Sequence, residues 1–361
     1  MKTKLLILGL LSAAALNVFA QEEGYRYVFN GYVQDFGTTY NATYAFANTI
    51  PPVPANLTVE GPGTTYEGIG VTLIPPDSDA TGAFVLYGAT LSLTDSTIGQ
   101  DFYHGMVGIS LEPASSGILT NVNISNYNMG ISVSNATLMM TGGAITSVGA
   151  GITLGEGSTV TLDNAVVTTG GDYNSSVSFS GSNTLNVTNG SVITGNVTSN
   201  IYDPTLRSTI ILTGANTALH GNLIDDSALI IDISDGALLD GGGTVSELIL
   251  GHGAIYKYSG DSLTITDSIT IGNNVTIDLS NFLNPADLEG RTILDWSSAS
   301  GAEDLNISAF NFITAAATDA DDFHIVNGQI IYTTAAVPEP STWFLLGVGF
   351  GVLALTRLRR R

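Results

Sequence analysis

The chain contains no cysteine and very little positive charge. Without cysteine no disulfide can hold the fold, and no thiolate is present as a nucleophile or zinc ligand. Of the ten lysines and arginines, Lys2 and Lys4 lie at one end and Arg357, Arg359, Arg360 and Arg361 at the other. Residues 21–336 keep only Arg26, Arg207, Lys257 and Arg291 against 31 acids, a net charge of −27. Nucleic acid and anionic headgroups need clustered basic side chains, so both are excluded as partners of this region. Long stretches of helical period are also missing between residues 55 and 280. Stability must come from backbone pairing and packing.

What is present is short apolar runs punctuated by Gly, Ser, Thr, Asn and Asp, which predicts an all-β chain. Glycine before a β-branched residue recurs at Gly70-Val71, Gly108-Ile109, Gly130-Ile131 and Gly151-Ile152, and Ser176-Val177 follows. A second series runs through Ala89-Thr90-Leu91, Gly117-Ile118-Leu119, Ala136-Thr137-Leu138, Ser158-Thr159-Val160 and Asn183-Thr184-Leu185. Several strands in each period of about 20 to 25 residues predict a right-handed parallel β-solenoid, or β-helix, over residues 57–280. At about 4.8 Å per coil, nine or ten coils would make a rod of roughly 45 Å. A β-sandwich with irregular loops is the competing architecture, because the periods drift.

Both ends of the rod should be covered. Residues 21–56 are expected to form an N-terminal β cap, with Tyr25–Phe29 and Tyr32-Val33 pairing around Asn30-Gly31. Residues 281–336 are expected to form a C-terminal β cap, where aromatics return and Asn327-Gly328 predicts a hairpin between Phe323 and Tyr332. Repeats of this style, closed by an aromatic β segment, resemble the passenger domains of bacterial autotransporters.

The two termini carry addresses. Met1 to Lys4, the apolar run Leu5–Leu16 and small residues up to Ala20 predict a signal peptide, cleaved between Ala20 and Gln21. At the other end stands Val337-Pro338-Glu339-Pro340-Ser341-Thr342, whose prolines hold the backbone extended. An uncharged run from Trp343 to Leu355 follows, then the four arginines. Thirteen apolar residues make a helix of about 20 Å, a short membrane span expected over residues 342–356. The basic tail 357–361 would stop transfer and stay in the cytoplasm.

This tail resembles the PEP-CTERM sorting signal of exported Gram-negative proteins, which exosortase processes. The resemblance implies secretion by the general machinery, transient insertion in the inner membrane, cleavage near Pro338–Pro340, and release or attachment at the cell surface. The same kind of tail has also carried the label of an ice-binding protein C-terminal domain, which describes the tail and no activity.

Catalytic and metal-ligating patterns are sparse, and no cofactor is expected. His104, His220, His252 and His324 lack ligand spacing. Asp225, Asp226, Asp232, Asp235 and Asp240 form the densest acidic group and lie near His220, but aspartate is itself a turn residue. They match no calcium loop. Gly241-Gly242-Gly243 precedes no Gly-Lys-Ser/Thr and is not a phosphate loop.

Three functions stay open. The first is a non-catalytic surface or matrix protein associated with extracellular polysaccharide. The second is a polysaccharide lyase or hydrolase, which as a hydrolase would need two carboxylates about 5 to 9.5 Å apart. The third is an ice-binding or adhesin-like protein; ice binding would need threonines at regular spacing on a flat face. Thr159-Val160-Thr161 and Thr264-Ile265-Thr266 are present, without evident recurrence in register.

Overall fold

A computed structural model describes residues 57–333, less 64, 74–80, 100–104, 171–174, 202, 204, 225–227, 302–304 and 316–321, together with strand residues 32–34 and 39–41. The expected signal peptide and sorting signal, with Ala20, Gln21, the 337–342 motif and the terminal arginines, lie outside the described residues. So does the expected transmembrane helix. No helix among the described residues is long and apolar enough to cross a membrane.

The described chain is a parallel β-solenoid. Each coil contributes three strands, and each strand pairs in parallel with its counterpart one coil away. Leu57–Glu60, Thr65–Ile69 and Thr72–Leu73 lie on the first, second and third sides. They pair with Ala83–Leu86, Thr90–Thr94 and Thr97–Gly99 of the next coil. In two coils the strand ladder runs round the corners without a break, as Ser116–Val133 and Thr137–Leu154.

Alternation sorts the side chains, since successive residues of a strand point to opposite faces. On the first side Leu57, Ala83, Ile109, Ile131, Ile152, Val177, Val197 and Leu223 form one inward column. All eight are buried. Leu91, Leu138, Val160, Leu185, Ile210, Ile231 and Leu248 face them from the second side, and Ile98, Ile124, Ile145, Val167, Ile193, Leu219 and Leu239 from the third. Fully burying such a side chain stabilises by about 1.5–3 kcal/mol, so every coil adds its own layer of core.

Each corner has its own chemistry. Between the second and third sides the backbone must turn left-handed, and Asp95, Asn121 and Asn164 do so at φ 50°, 53° and 53°. Asn and Asp tolerate that region better than other side-chain-bearing residues. Here Asn121 Nδ2 also donates to Asp95 Oδ1 of the coil before at 3.0 Å. Just past this corner Ser96 and Ser191 point inward; their hydroxyls accept from the Val71 and Ala165 amides of the preceding coil, both at 3.0 Å. Buried Ser158 and Asn183 fill the corner between the first and second sides, where the Ser158 amide donates to Asn183 Oδ1 at 3.0 Å. These bonds satisfy backbone groups that the turns would otherwise leave unpaired.

Between the third and first sides the coils touch backbone to backbone. A Cβ built at Gly82, Gly108 or Gly130 would stand 2.5 Å from the carbonyl oxygen of Gly108, Gly130 or Gly151 respectively. This column explains the Gly-Ile repeats and corrects one member. Gly70-Val71 belongs to the corner before the third side, where Val71 is bound by Ser96, and Gly82-Ala83 takes the place assigned to it. The wide apparent first interval, from Gly70 to Gly108, therefore mixed two corners.

Two described strands precede Leu57. Tyr32–Gln34 pairs in parallel with Leu57–Glu60, and Thr39–Asn41 with Thr65–Ile69. The parallel stack thus includes residues before 57, and the strand after Asn30-Gly31 joins it. The expected partner at 25–29 lies outside the described residues.

At the far end the hairpin at Asn327-Gly328 is present. Phe323–Val326 and Gln329–Tyr332 pair antiparallel. Asn327 and Gly328 take φ of 51° and 75°. Two left-handed residues in succession are what a two-residue hairpin turn demands. Gln329–Tyr332 also pairs antiparallel with Thr292–Asp295, which continues the first side through Leu263↔Leu294. Phe312 stacks on Phe323 at 4.1 Å between ring centroids, and Tyr332 meets Phe323 edge-on at 5.2 Å. These rings cover the end of the core.

Candidate functional site

Three places carry the residues singled out by the sequence: the chain's exit from the C-terminal cap, a charged column on the third side and a hydroxyl array on the second.

The exit is fixed by hydrogen bonds. Tyr332 is buried, and its burial together with the nearby Asp322 and Glu289 carboxylates raises its phenol pKa. The next residue, Thr333, donates its amide to the Asp322 carbonyl at 2.9 Å and its hydroxyl to Glu289 Oε1 at 2.8 Å. The last described residue is thus held to the folded body just before the Pro-Glu-Pro segment begins.

On the third side Thr194, His220, Asp240, Lys257 and Asp278 occupy one outward column. His220 Nδ1 lies 3.0 Å from Asp240 Oδ2, and Lys257 Nζ lies 3.8 Å from the same oxygen. Of the acids grouped with His220 in the sequence, the structure brings Asp240 to it and separates two others. Asp232 points outward on the second side, paired in register with Ile249, where burial raises its pKa. Asp235 takes the left-handed turn at φ 55°, the structural role its residue type suggests. Asp225 and Asp226 lie outside the described residues, as does His104. The part of Lys257 was missed from sequence, although its distance from Asp240 is one short coil. A histidine held by a carboxylate through Nδ1 presents Nε2 as a base. Among the described residues no group of three or more His, Asp or Glu is placed to hold a metal ion.

The second side overturns the expectation that threonines do not recur in register. Thr65, Thr90, Ser116, Thr137, Thr159, Thr184 and Thr209 occupy one outward column over seven coils. Four residues along the same strands, Thr94, Thr120, Thr141, Asp163, Thr188 and Thr213 make a second. The column between them is Ser92, Ile118, Met139, Thr161, Asn186 and Ile211. Hydroxyls touch across coils, as Thr90 Oγ1 and Ser116 Oγ do at 3.1 Å. Coil lengths vary, so equal spacing in sequence cannot reveal this alignment.

Comparison with known families matches residues 336–361 to the PEP-CTERM protein-sorting motif. The chain carries that signal. With it, the protein is an exported β-solenoid whose sorting to the cell surface runs through exosortase. No curated protein and no solved structure matches the chain.

Proposed function

We propose that this PEP-CTERM protein is a non-catalytic component of the cell surface or extracellular matrix, delivered as a membrane-held precursor and associated with extracellular polysaccharide. The observation that carries the reading is the sorting motif following directly on a closed, hydrogen-bonded cap. Cutting anywhere after Thr333 removes no described core residue, so the solenoid can leave the membrane whole. Its acidity suits a cargo destined for water or a hydrated matrix, because like-charged surfaces stay apart.

The signal peptide brings the chain to the secretion machinery, and the arginine tail holds the precursor in the inner membrane until exosortase acts. Replacing Pro338, Glu339 and Pro340 by alanine in a host that carries exosortase should leave an uncleaved, membrane-retained species. Normal release of that variant would refute the sorting role of these residues.

A second reading, a polysaccharide-cleaving enzyme, rests on the His220–Asp240 pair. Purified protein incubated with neutral and acidic polysaccharides should show no turnover. Cleavage that disappears in Asp240→Asn would replace the first reading with the second.

A further inference from the structure

We propose that the second side of the solenoid is a self-association surface, on which two copies of this chain pack face to face through coils 90–94 to 209–213. The proposal is independent of the sorting reading.

The first observation is electrostatic. Residues 21–336 carry a net charge of −27, yet on this face only Asp163 is charged from Thr90 to Thr213. Charge returns around it, with Glu67 before, Asp232 and Glu247 after, and Asp95, Glu112 and Glu156 at the flanking corners. Two molecules this acidic repel wherever their carboxylates meet, so close approach is least opposed on this patch with its single carboxylate. The acidic margins limit how far the contact can extend.

The second observation is apolar exposure in the centre of the patch. Ile118 and Met139 are neighbours in register and are 45% and 50% exposed. They lie between two threonine columns, whose methyl groups extend the apolar surface and whose hydroxyls can bond across an interface. An apolar centre inside a polar rim is how protein interfaces are built.

The third observation is periodicity. Both partners repeat at the spacing of parallel strands, about 4.8 Å, so a copy is commensurate with this face over every coil. The irregular middle column, which mixes polar and large apolar side chains without a fixed order, suits a protein partner that can interdigitate with it. It suits poorly a crystal lattice that repeats without variation. The face also offers no aromatic ring on which a sugar could stack.

Five residues of strand and six coils span roughly 17 by 29 Å, or about 1,000 Å² in total when both copies are counted. That is the lower limit for a specific interface, so the dimer is weak and reversible.

The test is sedimentation velocity of the full-length chain in a mild detergent, which accommodates the apolar run 343–355 equally in every variant. We expect a dimer that grows with concentration and with added salt, because screening weakens the repulsion. Met139→Glu should weaken it at least about tenfold, as loss of a central contact does. Val166→Glu, at an exposed position on the third side, should leave it unchanged, and both variants should keep the parent's circular dichroism. A monomer at all concentrations, or a dimer indifferent to Met139→Glu, overturns the proposal. So does a monomer whose Met139 resists peroxide oxidation, which would place the chain's own segment over the face. Binding of the monomer to ice or to an insoluble neutral glycan through Met139 and the threonines also overturns it.

Discussion

From Leu57 to Leu279 each strand meets its neighbours in parallel and one coil away, and inward aliphatic side chains repeat layer upon layer. The closing segment from Thr292 to Tyr332 pairs partly antiparallel, turns through a tight hairpin and fills its core with stacked rings. The stack is stabilised by repetition, so each layer depends mainly on the two beside it. The cap has no next coil and closes the core with a few large contacts that nothing repeats. Damage should therefore stay local in both regions, yet its physical origin should differ.

One of the two largest effects should come where coils touch backbone to backbone. Gly130→Ala places a methyl group 2.5 Å from the Gly151 carbonyl and against the Ile145 side chain, and the neighbouring coil must move. We expect a loss of about 3 kcal/mol in urea unfolding, at the upper end for overpacking. A loss below about 1 kcal/mol, the lower end for overpacking, would show that this corner is looser than described.

In the cap, Phe323→Ala removes the ring between Phe312 and Tyr332 and should cost about 3 kcal/mol at the low end for a buried aromatic. Hydrogen exchange should quicken across residues 292–332 and stay unchanged around Ile131 and Ile152. Equal quickening in both regions would refute a locally held cap.

Acid should separate the two regions more gently. Asp295 of the cap is partly buried, which raises its pKa, but bonds from the Ser297 backbone and side chain and from Gln329 outweigh that and hold the carboxyl below its ordinary 3.8. A carboxyl held low in the folded state stabilises fully above its ordinary value and loses that contribution as pH falls through the folded one. Asp232 of the stack is shifted the other way by burial. The folded state binds that proton more tightly, so stability rises as pH falls through the raised value towards 3.8. On acidification below pH 3.8 the near-ultraviolet signal of the cap aromatics should therefore fail before the far-ultraviolet signal of the stack. Asp295→Asn should abolish its share of the acid sensitivity, and an unchanged profile in that variant would reject the assignment.

The solenoid was legible because its glycines are sterically required. Gly108, Gly130 and Gly151 stand where no side chain fits, and each is followed by an inward Ile. The hairpin was legible for a similar reason, since Asn327-Gly328 satisfies two left-handed residues in succession. The threonine columns were hidden because the steps from Thr90 to Ser116, Ser116 to Thr137 and Thr159 to Thr184 differ in length, while the strands keep their register. His220 and Asp240 lie one coil apart, and their pairing shows only once the turn at Asp235-Gly236 is placed. Lys257 was unremarkable in sequence because a lone lysine gains meaning from the column it joins. The sorting motif needed no fold, because its prolines, apolar run and arginines act in a local order.

The strand Gln329–Tyr332 is bonded along both edges, to Thr292–Asp295 on one side and Phe323–Val326 on the other, and Thr333 is bonded beyond it. It is also the strand from which the tail departs. A pull on the tail along that strand loads both ladders in shear, so many bonds must fail together. The same bonds would open one after another if the strand were peeled from an edge. Held in the membrane as proposed, the precursor would have a mechanical clamp at its point of attachment, and tension on the tail would reach the stack only after that clamp had slipped.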